Sequence, residues 1–221
     1  MIKSITDQLA EASGGILEVK PEVRDETGYY TMADDGGVEH PVGSFLYGLV
    51  KILQPKLILE TGTYSGISSL YMAQALKENS HGELITVEHE MFHKQRAERL
   101  WEKCGVNQYV TCINQSSLDF QPNQQYDLLF LDSEPQIRYQ ELVNFFPHLK
   151  EGGYIGIHDL HGHMGQNSNN PDHPDEPHWP WGEIPQQIKD WVREDKLRVV
   201  HFPNPRGFTL LYKTKEGDHK W

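Results

Sequence analysis

The chain has 221 residues, with 20 Lys+Arg against 32 Asp+Glu and a formal net charge of −12. That length suits one α/β domain with a sizeable core. The acidic balance agrees with plain solubility; it repels phosphate backbones over a Debye length, and so argues against DNA or RNA as a partner. No apolar run approaches the roughly 20 residues that span a bilayer, so no membrane partner is expected. The opening Met1-Ile2-Lys3-Ser4-Ile5-Thr6-Asp7 lacks the apolar core of a secretory signal. Cys104 and Cys112 show neither metal spacing nor a disulfide framework, and a reducing cytoplasm is the expected compartment.

An amphipathic start marked by Ile2, Ile5 and Leu9 leads into a polar, glycine-dotted region through Gly37. Residues 1–40 therefore read as a helical or irregular cover segment, and 41–221 as the main domain. Val42, Phe45, Leu46, Leu49, Val50 and Leu53 recur at helical spacing, and Gln54-Pro55 ends that helix. Strand and helix then alternate: strands at Lys56–Glu60, Glu83–Glu88 and Tyr109–Ile113, helices at Ser65–Lys77 and Met91–Lys103. A weak helical stretch follows the third strand. Tyr126–Asp132 is a nearly continuous apolar run, as a strand buried on both faces requires. Leu142, Phe145, Phe146 and Leu149 mark one face of a helix, and Gly152-Gly153 turns the chain into the strand Tyr154–His158. This alternation predicts a Rossmann-like, doubly wound α/β fold with a mostly parallel sheet. After a helix carrying Ile184, Ile188, Trp191 and Val192, the strands Leu197–Phe202 and Phe208–Tyr212 are separated only by Pro203-Asn204-Pro205-Arg206-Gly207. So short a gap holds no crossover helix, and the two strands form an antiparallel C-terminal hairpin.

The most informative stretch is Ile58-Leu59-Glu60-Thr61-Gly62-Thr63-Tyr64-Ser65-Gly66-Ile67-Ser68. It reads as a strand, a tight loop and a helix N-terminus, the place where open α/β sheets hold nucleotide-like ligands. Gly62 and Gly66 make G-x-x-x-G; the G-x-G-x-x-G of dinucleotide enzymes is absent, and no Lys-Ser/Thr pair follows as in a phosphate loop. A loop without a phosphate cradle, with an acid just before it, suits a ligand with a positive centre and an amino-acid tail, such as S-adenosylmethionine.

With Val87-Glu88, Phe130-Leu131-Asp132 and Leu149-Lys150-Glu151-Gly152-Gly153-Tyr154-Ile155-Gly156-Ile157-His158-Asp159, that stretch makes the chain resemble the class I S-adenosylmethionine-dependent methyltransferases. Within them it looks most similar to small-molecule O-methyltransferases of the catechol type and related sugar and natural-product enzymes. The resemblance runs from about Pro41 to Lys213. It implies about seven strands, the last inserted antiparallel beside the fifth, a small hydroxylated molecule as methyl acceptor, and S-adenosylmethionine as cofactor.

Gly62 and Thr63 form the bend, where a glycine lets the backbone approach the ligand, and Gly66 serves close packing at the helix start. Ser65 and Ser68 offer donors to the cofactor carboxylate, and Glu60 an acceptor to its ammonium. Glu88, with His89 beside it, accepts from the ribose hydroxyls. Gln115 and Ser116 stand where similar enzymes seat the adenine edge. At the transfer site, Asp132 ends the fourth strand and Asp159 follows the fifth, so both face one crevice. The catechol type has an Asp-Asn pair at the second position; here it reads His158-Asp159-Leu160, and the asparagine is missing. Three readings stay open: a divalent ion on Asp132, Asp159 and His161, of a kind that suits a transition metal better than magnesium; a base among Asp132, His158, Asp159 and His161; or structural roles.

Residues 160–182, polar and proline-rich with Trp179 and Trp181, read as a lid-like loop over a small-molecule acceptor. The N-terminal region with Tyr29, Tyr30 and Met32 is the other candidate cover, and its apolar helix equally offers a homodimer surface. Two competing functions are a nicotinamide oxidoreductase, opposed by the glycine spacing, and a cofactor-fold binding protein that transfers nothing. Methylation of a nitrogen or a macromolecule is a further alternative; the acidic balance opposes nucleic acid, and no Asn/Asp-Pro-Pro-aromatic stretch is present.

Overall fold

The computed structural model describes residues 3–17, 23–25, 28–30, 37–159, 186–202 and 207–218. Met32, His161, His163, Trp179, Trp181 and the whole of 160–182 lie outside the described residues, as do the side chains of Tyr29 and Tyr30. Among the described residues seven strands form one mixed sheet, in the spatial order Val110–Asn114, Glu83–Glu88, Leu57–Thr61, Tyr126–Leu131, Leu149–His158, Phe208–Lys213 and Leu197–Phe202, and two short strands form a separate ribbon. The chain divides into two compact units, Met1–Phe120 and Gln121–Trp221.

The first unit opens with α1 (Ile5–Ala12), started by a capping box in which the Ser4 hydroxyl accepts from the Asp7 N–H and the Asp7 carboxylate accepts from the Ser4 N–H. The polar stretch that follows holds β1 (Val23–Asp25) and β2 (Gly28–Tyr30), paired antiparallel. Strands of three residues are too short to show an alternation, so this ribbon left no mark on the pattern. Helix α2 (His40–Leu53) has Pro41 in its first turn, buries Val42, Leu46 and Val50, and ends on left-handed Gln54 ahead of Pro55. Then come β3 (Leu57–Thr61), α3 (Ile67–Asn79), β4 (Glu83–Glu88), α4 (Met91–Cys104) and β5 (Val110–Asn114), with the three strands parallel.

Helix α3 starts at Ile67 rather than Ser65, because Gly66 takes a left-handed cap with φ 77°. The weak helical stretch after β5 is a turn, in which the N–H groups of Asp119 and Phe120 both donate to the Ser116 carbonyl. Cys104 and Cys112 are free and buried, and burial pushes the Cys112 thiol up to about 11. That is the chemistry of small core residues.

The second unit contains β6 (Tyr126–Leu131), α5 (Arg138–Phe145), a 3-10 turn at Phe146–His148, and β7 (Leu149–His158), with β6 and β7 parallel. β7 begins five residues before the expected Tyr154. The Gly152-Gly153 pair stays within the strand as an irregularity, matched by a register shift between Tyr126 and Leu128. Helix α6 (Gln186–Arg193) leads to β8 (Leu197–Phe202) and β9 (Phe208–Lys213). The terminal hairpin is antiparallel, and β9 lies antiparallel beside β7. The insertion implied by the family resemblance is therefore present. Phe146 stacks on Trp191 at 4.1 Å, and the Lys213 ammonium donates to the carbonyls of Phe146 and Leu149.

Candidate functional site

In the first unit the site grows from the end of β3. All five residues of that strand are buried, as expected when both faces are covered. Gly62 then turns with φ 79°, its N–H donating to the Val87 carbonyl of β4 at 3.0 Å. The Thr63 hydroxyl lies 2.6 Å from that of Thr86, which pins the bend to the neighbouring strand. Tyr64 is left-handed at φ 46°, a conformation that costs about 1–2 kcal/mol for a residue with a Cβ. Its ring packs on His93 at 4.5 Å, with the Arg96 guanidinium 5.9 Å from its centroid. At Gly66 a Cβ would stand 2.6 Å from the Ala97 Cβ and 2.8 Å from the Trp101 indole nitrogen. That indole nitrogen donates to the Gly66 carbonyl at 2.9 Å. The close packing expected of Gly66 is thus realised against α4.

Glu60 is fully buried at the end of β3. The hydroxyl of Ser68 donates to one of its oxygens at 2.5 Å and that of Ser69 to the other. These bonds tie the first turn of α3 to the strand beneath it. The structure therefore gives Ser68 a different partner from the expected ligand carboxylate, and gives Glu60 two hydroxyl donors from within the protein. A buried carboxylate needs such donors wherever a ligand's ammonium does not supply them. Ser65 differs: its hydroxyl oxygen is buried and has no hydrogen-bond partner among the described residues. A buried hydroxyl left this way costs about 1–3 kcal/mol, which a ligand acceptor would recover.

Glu88 closes β4 with 5 % exposure. One carboxylate oxygen accepts from the Tyr64 N–H and the other from the Glu90 N–H, each at 2.8 Å. Each oxygen keeps a further lone pair for a ligand hydroxyl. The Asn114 amide donates to the carbonyls of Glu88 and His89, and the Gln115 N–H to the Glu88 carbonyl. His89 is half-exposed, with Nδ1 3.5 Å from Glu88. The Ser116 hydroxyl accepts from the Leu118 N–H at 3.3 Å. Glu88, His89, Gln115 and Ser116 are thus gathered at the ends of β4 and β5.

In the second unit, parallel pairing of Leu131 with Ile157 brings the ends of β6 and β7 level. His158 Nδ1 lies 3.0 Å from Asp132 Oδ1 and 3.6 Å from Asp159 Oδ1. His158 is fully buried, whereas the Asp132 side chain keeps 12 % exposure. Asp159 is left-handed at φ 57°, the kind of strained position that concentrates at functional sites. Sequence reasoning missed a fourth member, Arg138, at the start of α5 and 1 % exposed. Its guanidinium donates to the carbonyls of His158 and Ser133, and approaches Asp132 Oδ1 at 3.4 Å and Asp159 Oδ2 at 3.8 Å. Glu141, three residues on, is fully buried too. A signal existed, since Arg138 precedes Leu142 and Phe145 by four and seven residues and shares their inward stripe. Tyr64 and Ser69 gave no such signal. His161 lies outside the described residues.

Donor atoms of Asp132, His158 and Asp159 lie within 4.8 Å of one another, a spacing that suits a divalent ion. The charges do not suit one. A guanidinium already stands against both carboxylates, and it cannot lose its proton. Asp132 Oδ1 also faces His158 Nδ1, where a carboxylate favours N–H over a bare ligand nitrogen. On this observation the described residues do not fit a resident divalent metal.

Residues 59–160 match the methyltransferase domain family. A protein of Mycobacterium sp. (strain KMS), named as a candidate O-methyltransferase, is 28% identical over 127 residues, covering 56% of this chain and 57% of its own length. A catechol O-methyltransferase of Niastella koreensis is 33% identical over 98 residues, covering 42% of this chain and 43% of its own. The chain thus spans about half the length of these curated relatives. Among solved structures, the O-methyltransferase TomG of Streptomyces achromogenes, in complex with S-adenosylmethionine, superimposes with TM-score 0.62 at 21% identity, covering 97% of this chain and 92% of that one. An O-methyltransferase of Bacillus cereus, in complex with S-adenosylhomocysteine, gives TM-score 0.67 at 17% identity, with the same coverages of 97% and 92%. The chain thus shares with these methyltransferase structures a Rossmann-like α/β fold, a mostly parallel sheet closed by antiparallel C-terminal strands.

Proposed function

We propose that the protein is an S-adenosylmethionine-dependent O-methyltransferase of a small hydroxylated molecule, working in a reducing cytoplasm. The observation that carries the reading is Glu88. It is a nearly buried carboxylate held by two backbone N–H groups beside the left-handed Gly62 bend, with acceptor capacity left for a ribose. In this reading Gly62 and Gly66 let the loop approach the donor, the free Ser65 hydroxyl and the α3 N-terminus receive its carboxylate, and Glu88 and His89 hold the ribose. Gln115 and Ser116 border the adenine. Glu60, Thr63, Ser68 and Ser69 brace the loop from beneath, with Glu60 available to a ligand ammonium in exchange for a serine.

The transfer itself asks little of the protein, because the sulfonium is already activated. The acceptor oxygen attacks the methyl carbon in line, the C–O bond forms, and the C–S bond breaks with its electron pair passing to sulfur. The hydroxyl proton leaves to a base. Asp132 takes that role as the most exposed of the three titratable side chains in its cluster, and His158 and Arg138 orient it. Buried His158 acts through Asp132 rather than on the acceptor. In this reading 41–221 is the transferase domain.

Calorimetry with S-adenosylhomocysteine tests the reading. The wild type is expected to bind it and to show no heat with NAD. Glu88→Ala weakens binding about a hundredfold, since about 3 kcal/mol of charge-assisted hydrogen bonding is lost. Incubation with S-adenosylmethionine and a panel of catechols then yields a methylated product by mass spectrometry. Well-folded wild type that takes up no S-adenosylhomocysteine refutes the assignment.

A further inference from the structure

We infer that Arg138 is a built-in cation standing where a divalent ion would sit between Asp132 and Asp159, so that transfer proceeds without a metal. The reaction half of this statement rests on the methyltransferase reading; the metal half does not. Three observations carry it. The guanidinium sits between the acids, Nη2 being 3.4 Å from Asp132 Oδ1 and 3.8 Å from Asp159 Oδ2. It is anchored from two sides, Nη1 on the His158 carbonyl and Nη2 on the Ser133 carbonyl, and is 1 % exposed. The remaining potential ligand, His158 Nδ1, faces the same Asp132 oxygen at 3.0 Å, which commits that nitrogen to a hydrogen bond.

A divalent ion on Asp132 Oδ1 would have to displace the imidazole and the guanidinium, and on any oxygen of the two acids it would lie against a fixed positive charge. The planar fork of arginine reaches two carbonyls and two carboxylates at once, which an ammonium does not do. Arg138 is accordingly a positioning residue. It holds the Asp132 and Asp159 carboxylates in one orientation and ties both to the start of α5, while the acceptor's proton passes to Asp132. It touches neither donor nor acceptor in this scheme.

The test titrates chelator-washed full-length protein with Mn²⁺, Mg²⁺ and Zn²⁺ by calorimetry, with S-adenosylhomocysteine binding measured on the same samples. Wild type is expected to give no saturable metal heat, and its turnover to be unchanged in excess EDTA. Arg138→Met is expected to gain a single Mn²⁺ site at least about a hundredfold tighter than any wild-type binding, because the repelling charge is gone. Arg138→Lys, which keeps the charge, gains none, and adding Asp132→Asn to Arg138→Met abolishes the gain. One-to-one metal binding by wild type that Asp132→Asn removes overturns the inference. So does turnover that EDTA abolishes and a divalent ion restores, or a folded Arg138→Met that gains no site. Should Arg138→Met not fold, the wild-type titration decides alone. Absence of S-adenosylhomocysteine binding removes the methyl-transfer reading and leaves the metal result standing.

Discussion

His40 shows how far a single side chain departs from its sequence neighbourhood. As the first residue of α2 it is only 4 % exposed, with Nδ1 2.9 Å from the Tyr71 hydroxyl and Nε2 buried without a hydrogen-bond partner among the described residues. Burial lowers its pKa from the usual 6.5. The unfolded chain therefore takes up a proton that the folded chain refuses. The stability His40 contributes is present above the unfolded value and is lost as pH falls from there through the lowered folded value. Urea midpoints taken between about pH 7.5 and pH 5.5 are expected to fall with acid in the wild type and to fall less in His40→Gln. An equal fall in both removes His40 from the account. At this scale, residues whose chemistry follows from a strand end were legible: Glu88, Asp132 and Asp159 sit where the pattern placed them. Tyr64 was not, because its contribution is a backbone N–H aimed at Glu88 by a left-handed φ. Ser69 was not, because the choice between the Glu60 oxygens and a ligand depends on how α3 sits on β3.

Elements were legible where the apolar run was long, and displaced where a glycine intervened. β4 lies where expected, and β6 differs only at its last residue, because a strand buried on both faces leaves little freedom in its bounds. Gly66 stopped α3 short of Ser65, and Gly152-Gly153 let β7 run on where a turn was expected. The junction of β3, α3 and α4 depends on Gly66 in two ways, its φ of 77° and the absence of a Cβ against Ala97 and Trp101. Gly66→Ala is expected to cost about 3 kcal/mol, combining left-handed strain with overpacking. Chemical denaturation reads the loss, and Trp101 fluorescence reads the disturbed indole. A variant as stable as wild type overturns this account of the junction.

At the scale of the molecule, the excess of acids sets how the surface meets other charges. With a net charge of −12, self-repulsion opposes compactness and is screened by salt. The melting temperature is expected to rise by a few degrees between about 10 mM and about 150 mM NaCl, and duplex DNA to show no retardation at either salt. A falling melting temperature would mean that attractive surface pairs outweigh the repulsion. Among the described residues no helix is long and apolar enough to cross a membrane.

The sequence by itself determined the α/β alternation, the antiparallel terminal hairpin and the glycine bend with its flanking acids. Each follows from local periodicity, chain length between strands, or a residue type that one backbone conformation requires. Only the tertiary structure decided which groups share a hydrogen bond. Ser68 and Ser69 went to Glu60, the Tyr64 amide to Glu88, and a buried arginine to the acids at the ends of β6 and β7. Those outcomes depend on distances between segments far apart in sequence, and burial makes each partner obligatory once the segments meet.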